Sequence, residues 1–112
     1  MRQVNKLMLT VKLVDPGKIL TLKHNGNKAI NSKVSTKFGN KTCNYLATAY
    51  NEIAESISKL SPGTEVLIEG ALYQEYYTDK ITGQMRPVNK IRITKIIQED
   101  NEFFEEPGFP NF

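Results

Sequence analysis

Residues 5–14 alternate apolar and polar side chains, with Leu7, Leu9, Val11 and Leu13 set against Lys6, Met8, Thr10 and Lys12. A period of two over that length predicts a strand with one buried face. Asp15-Pro16-Gly17 is a turn signal, because proline presets one turn dihedral and glycine accepts a positive one. A second strand is expected over Lys18–Lys23, closed by Asn25-Gly26, a dipeptide suited to tight hairpins. A third runs from Lys28 to Phe38, diluted by Asn31, Ser32 and Ser35, and Gly39-Asn40-Lys41 forms a short loop.

Thr42 to Tyr50 reads as a fourth strand, after which the period changes. Tyr50, Ile53, Ala54, Ile57 and Leu60 form one stripe of an amphipathic helix of about three turns, ended by Ser61-Pro62-Gly63. Glu65 to Tyr77 is a long strand with Val66, Ile68 and Leu72 on one face, and Gly70 marks a bend or bulge. Thr78 to Gln84 is an exposed hairpin tip. The last strand, Arg86 to Ile97, sets Ile91, Ile93 and Ile97 on one side and Arg86, Lys90 and Arg92 on the other.

The remainder, Gln98 to Phe112, is acidic, contains Pro107 and Pro110, and has no periodicity, so it is expected to be a disordered tail. No internal repeat is present. An antiparallel sheet with one helix inserted before the penultimate strand predicts an all-β fold. The matching architecture is a five-stranded OB barrel over residues 1–97, plugged at one end by its helix. A generic small β-barrel is the alternative.

Charge sharpens this division. Residues 1–97 hold all 15 Lys and Arg against 7 Asp and Glu, a net of +8, whereas residues 98–112 hold five acids and no base. A basic body with an acidic tail points to a polyanionic partner for the body and a separate task for the tail. No apolar run approaches the ~20 residues of a membrane helix, and the polar, basic start of the chain is unlike a secretory signal. Cys43 and His24 are the single cysteine and histidine. This excludes an intrachain disulfide and a Cys/His zinc site, and it suggests a reducing, cytoplasm-like compartment.

Enzyme readings find no footing in the sequence. No phosphate-binding glycine loop is present. His24 adjoins a hairpin tip, and Cys43 has no second histidine to activate it. No catalytic residue, metal site or cofactor is expected. A binding reading has more material. Phe38, Tyr50, Tyr73, Tyr76 and Tyr77 all fall in or beside strands rich in Lys and Arg. Single-stranded nucleic acid needs both cations that track phosphates and flat rings on which any base can stack. Tyr73 and Tyr77 share a face with Glu75 and not with Val66, Ile68 and Leu72, which sets them apart from core packing.

The order of blocks resembles the single-stranded-DNA-binding (SSB) protein family, in its short bacterial, phage or plastid form. The carriers are Asn5-Lys6-Leu-Met-Leu with Asp15-Pro16 and Asn25-Gly26, then TCNYLATAYNEIAE over 42–55. Pro62-Gly63-Thr-Glu-Val-Leu-Ile68-Glu69-Gly70-Ala-Leu72 and the Tyr77-Thr78-Asp79 hairpin follow. The resemblance spans residues 5–97 and implies sequence-independent binding of single-stranded DNA in replication, recombination or repair. It implies base stacking at Tyr50 and Tyr77, with Phe38 a stand-in for a further ring, while Asn44 holds a position that is usually aromatic.

With Tyr73, and with Lys33, Lys37, Lys41, Lys80, Arg86, Lys90 and Arg92 on the phosphates, these residues form the expected DNA-binding set. The resemblance further places Tyr45 at a subunit interface, implying a homo-oligomer. It also implies recruitment of replication or repair proteins by Phe109, Pro110 and Phe112 of the tail. Two other functions fit the same residues: an SSB-derived accessory module that mainly contacts proteins, and an OB fold that binds RNA.

Overall fold

A computed structural model of the protein describes residues 2–98; the tail residues Phe109, Pro110 and Phe112 lie outside that range. The elements are β1 (Leu7–Asp15), β2 (Leu20–Thr21), β3 (Lys28–Phe38), β4 (Lys41–Tyr50), α1 (Asn51–Ser58), β5 (Glu65–Thr78) and β6 (Met85–Gln98). The sheet order is β1-β5-β6-β4-β3-β2, and a further β1–β3 pairing closes the five long strands into a barrel. The inward positions of each strand meet at its centre. Val11, Leu13, Ile30, Val34, Ala47, Ala49, Val66, Ile68, Ile91 and Ile93 are buried there together with Ala54 and Ile57 of α1.

Four expectations are corrected here and a fifth at the β5–β6 bulge. The strand expected over 18–23 pairs with β3 only at Leu20 and Thr21, both exposed, because no other strand backs it. The helix has eight residues. It stops early because the chain beyond it is already tied to β1: Gly63 N donates to Leu13 O at 2.7 Å, and Leu13 N donates to Thr64 O at 2.9 Å. Tyr50 is not part of the helix stripe but lies on the outward side of β4, opposite Ala29. Leu72, expected in the core, is 49% exposed, because β5 has by then run past the barrel wall.

The β5–β6 ladder contains a bulge, with Glu69 opposite Lys95 but Gly70 opposite Ile93. A Cβ at Gly70 would sit 2.2 Å from the Arg92 carbonyl oxygen, so this close approach requires glycine. The bulge resets the alternation beyond Ile93. Ile96, opposite Ile68, therefore packs on the core in place of the expected Ile97.

Two short seams hold the barrel shut. β1 meets β3 at Lys12–Ser35, Leu13–Val34 and Asp15–Lys33, and β4 meets β6 in parallel from Leu46–Lys90 to Thr48–Arg92. Beyond Leu46 and Lys90 the sheet splits. The β3–β4 hairpin forms a finger ending at Gly39-Asn40, and the β5–β6 hairpin forms a longer arm ending at residues 79–84. Both project from the end of the barrel away from α1.

Candidate nucleic-acid interface

Strand alternation decides which side chains share the outer surface. On β5 and β6 the facing pairs Ala71–Arg92, Tyr73–Lys90, Glu75–Val88 and Tyr77–Arg86 all point outward. The parallel seam adds Leu46 beside Lys90 and Thr48 beside Arg92, and β3 adds Lys33 opposite Leu46 and Lys37 opposite Thr42. The outer side of β3, β4, β6 and β5 thus carries Tyr50, Tyr73, Lys33, Lys90 and Arg92 around the seam, with Lys37 on the finger and Tyr77 and Arg86 on the arm beyond the split. Eight of the residues expected from the sequence lie on that outer side, five of them around the seam.

The rings on this face are held in place. The Arg92 guanidinium lies 4.6 Å from the Tyr50 ring centroid, a cation–π contact. Tyr73 donates its hydroxyl to Thr48 Oγ1 at 2.8 Å, and Thr48 in turn donates to Asn31 Oδ1 at 3.3 Å. Thr48 is two strands from Tyr73, a lateral distance of about 10 Å at sheet spacing. The Tyr73 ring therefore lies down across β6 between Lys90 and Arg92. Burial pushes the Tyr73 phenol above its ordinary pKa, so the hydroxyl stays a donor. Tyr77 stands about 13 Å further along the arm, 52% exposed beside Arg86.

Charges are partly internally balanced. Lys90 pairs with Glu75 at 3.4 Å, and Arg86 pairs through Nε with Asp79 at 2.9 Å. Asp79 organises the arm tip: its carboxylate accepts from Ile81 N at 2.8 Å and from Thr82 N at 3.4 Å. The Ile81 amide, then Arg86 and the Thr82 amide, hold its carboxyl below the usual range. Lys33 and Lys37 make no salt bridge among the described residues.

Three expected residues lie elsewhere. Phe38 and Lys41 face each other at the finger tip on the inward side of the strands, with Phe38 78% exposed. Lys80 is in the arm-tip turn. Tyr45 also points inward, half-buried against the core. The sequence reading missed Val14, Leu46 and Val88, which with Lys33 and Asn44 line an apolar depression of about 280 Å³ on the outer face. Leu46 could have been recognised by its position, two residues beyond Asn44 on the same side of the strand.

A five-stranded barrel with a helix before its penultimate strand, open across a basic and aromatic sheet face, is an OB fold. Its likeness is to an SSB domain: that of a protein from Synechococcus sp. has a TM-score of 0.67 with this chain. The match covers 88% of this chain and 99% of that one at 13% sequence identity, a likeness of fold. No protein-family model and no curated protein sequence matches the chain.

Proposed function

We propose that this protein binds single-stranded nucleic acid, DNA foremost, without sequence preference on its outer face and without a catalytic step. The single observation that carries the reading is the joint placement of Tyr50, Tyr73, Arg92 and Lys90 over the β4–β6 seam. Bases stack on the two rings and on the Leu46–Val88 depression that stands where Asn44 supplies no aromatic. Phosphates run along Lys33, Lys37, Lys90 and Arg92. Duplex bases are already stacked on each other and offer no free faces to these rings.

The reading extends to a role in replication, recombination or repair in a reducing compartment, as a homo-oligomer that recruits partner proteins through Phe109, Pro110 and Phe112. The test is a titration of poly(dT), poly(U) and duplex DNA at two salt concentrations. The expected result is a preference for single strands with a log–log salt slope of about −0.7 per phosphate contact. Equal affinity for duplex, or a flat salt response, overturns it.

A further inference from the structure

The inward side of the finger and arm is not covered by the barrel. β4 and β6 are bonded only from Leu46–Lys90 to Thr48–Arg92, so Lys41–Tyr45 and Met85–Asn89 border an open split. At the floor of this split Tyr45, Leu72, Tyr73, Gln74 and Asn89 line a cleft of about 380 Å³. Tyr45 and Leu72 also line an apolar hollow of about 330 Å³ that Phe38 and Cys43 help to wall. Both volumes fall near the lower end of the ~300–1,000 Å³ typical of ligand sites. Phe38 and Tyr76 are 78% and 60% exposed, two large rings left in water on positions that elsewhere in these strands form the core.

The surrounding chemistry suits a polyanion with flat, polar-edged rings. Lys41 shares the finger tip with Phe38, and Lys80 stands at the arm tip, each without a salt bridge among the described residues. The acids of the arm, Glu75 and Asp79, are already paired with Lys90 and Arg86. Gln74 Nε2 donates to Asn89 Oδ1 at 2.8 Å across the arm, which leaves a carboxamide acceptor and a carboxamide donor side by side. Turning both amides over exchanges the two but preserves one of each. Such a pair complements a nucleobase edge.

We infer that a bound single strand passes through the split between finger and arm and continues along the inward side. There it stacks on Phe38 and Tyr76 and sets one base edge against Gln74 and Asn89. This rests on the function proposed above and deepens it: the outer face is indifferent to sequence, whereas the inward side reads one position.

The test is fluorescence anisotropy with oligonucleotides of about 4 and about 16 nucleotides, the bounds of an OB-fold site. The Phe38→Ala/Tyr76→Ala double variant removes two exposed rings, and circular dichroism verifies its fold. It is expected to bind the short oligonucleotide as the parent does, and the long one at least about fivefold more weakly. Tyr50→Ala is expected to weaken both. If the double variant keeps full affinity for the long oligonucleotide while Tyr50→Ala loses both, the inward path is wrong and the outer face stands. If Tyr50→Ala loses neither, the function itself falls. If the double variant only lowers the sedimenting mass, these rings are a contact between copies of the chain, which also overturns the inference. A second readout is photo-cross-linking of a bromodeoxyuridine oligonucleotide to the full chain: adducts at Phe38 or Tyr76 support the path, and adducts confined to Tyr50 and Tyr77 refute it.

Discussion

The hydroxyl of Tyr73 on β5 is bonded at 2.8 Å to Thr48 on β4, so one side chain straps three strands of the barrel together. Tyr73→Phe keeps the ring and removes the strap. It should lower stability by about 0.5–1.5 kcal/mol, read by urea denaturation, because Thr48 is buried and loses a partner. Tyr73→Ala should in addition weaken poly(dT) binding by about 1–3 kcal/mol. The phenol is raised in the folded state, so its contribution is full below the unfolded tyrosine pKa and is lost as pH rises through the folded value. The stability gap between parent and Tyr73→Phe should therefore be constant across neutral pH and close only in strong alkali.

Tyr50 and Arg92 should separate stacking from charge. Tyr50→Ala is expected to weaken single-strand binding by about 1–3 kcal/mol with an unchanged salt slope. Arg92→Ala should reduce the slope by less than one unit. Tyr50→Phe should match the parent, since the 4.6 Å contact uses the ring face alone. Parallel titrations at two salt concentrations measure all three.

At the arm tip, Asp79→Asn should release Arg86 while keeping an acceptor for the Ile81 amide. Single-strand affinity at low salt should rise about two- to threefold, with a slope steeper by up to about 0.7. Because the Asp79 carboxyl is depressed on folding, its stabilisation is present above the ordinary aspartate range of about 3.9 and is lost as pH falls through the folded value. The Ile81 amide resonance should report that loss in an NMR titration.

Gly70→Ala should destabilise the barrel by about 2–3 kcal/mol in chemical denaturation, because the new methyl would meet the Arg92 carbonyl at 2.2 Å. Any surviving folded protein should bind single strands less well, since the displaced backbone carries Arg92 away from Tyr50.

Much of the architecture was legible in the chain. Alternation in 5–14 and 65–77 and the change of period after Tyr50 locate β1, β5 and α1, and Gly70 marks the bulge. Alternation also placed Tyr73 and Tyr77 on the outer face. What it could not show depends on neighbours distant in sequence. The exposure of Leu72 follows from where β1 ceases to accompany β5, and the exchange of Ile97 for Ile96 follows from a bulge partner on another strand. Phe38 was grouped with the other rings because composition does not reveal side. Its place on β3 in step with Ile30 and Val34, and its pairing with Lys41 two positions beyond Thr36–Cys43, put it on the inward surface.

The two three-rung seams have a consequence for how the molecule opens and closes. The β3–β4 hairpin and the β1-β5-β6 sheet are each extensively paired within themselves, whereas their mutual attachment runs through few backbone bonds. The barrel is in this sense a clasp between two halves, each more extensively paired than the seams that join them. Tyr73 reaches across one seam from the inside of the same chain. A nucleic acid strand laid from Lys33 to Arg92 would do the same from outside. Amide hydrogens at Leu46–Thr48 and Lys90–Arg92 should then exchange more slowly by a factor that grows with ligand concentration, making the clasp the place where binding is felt as rigidity.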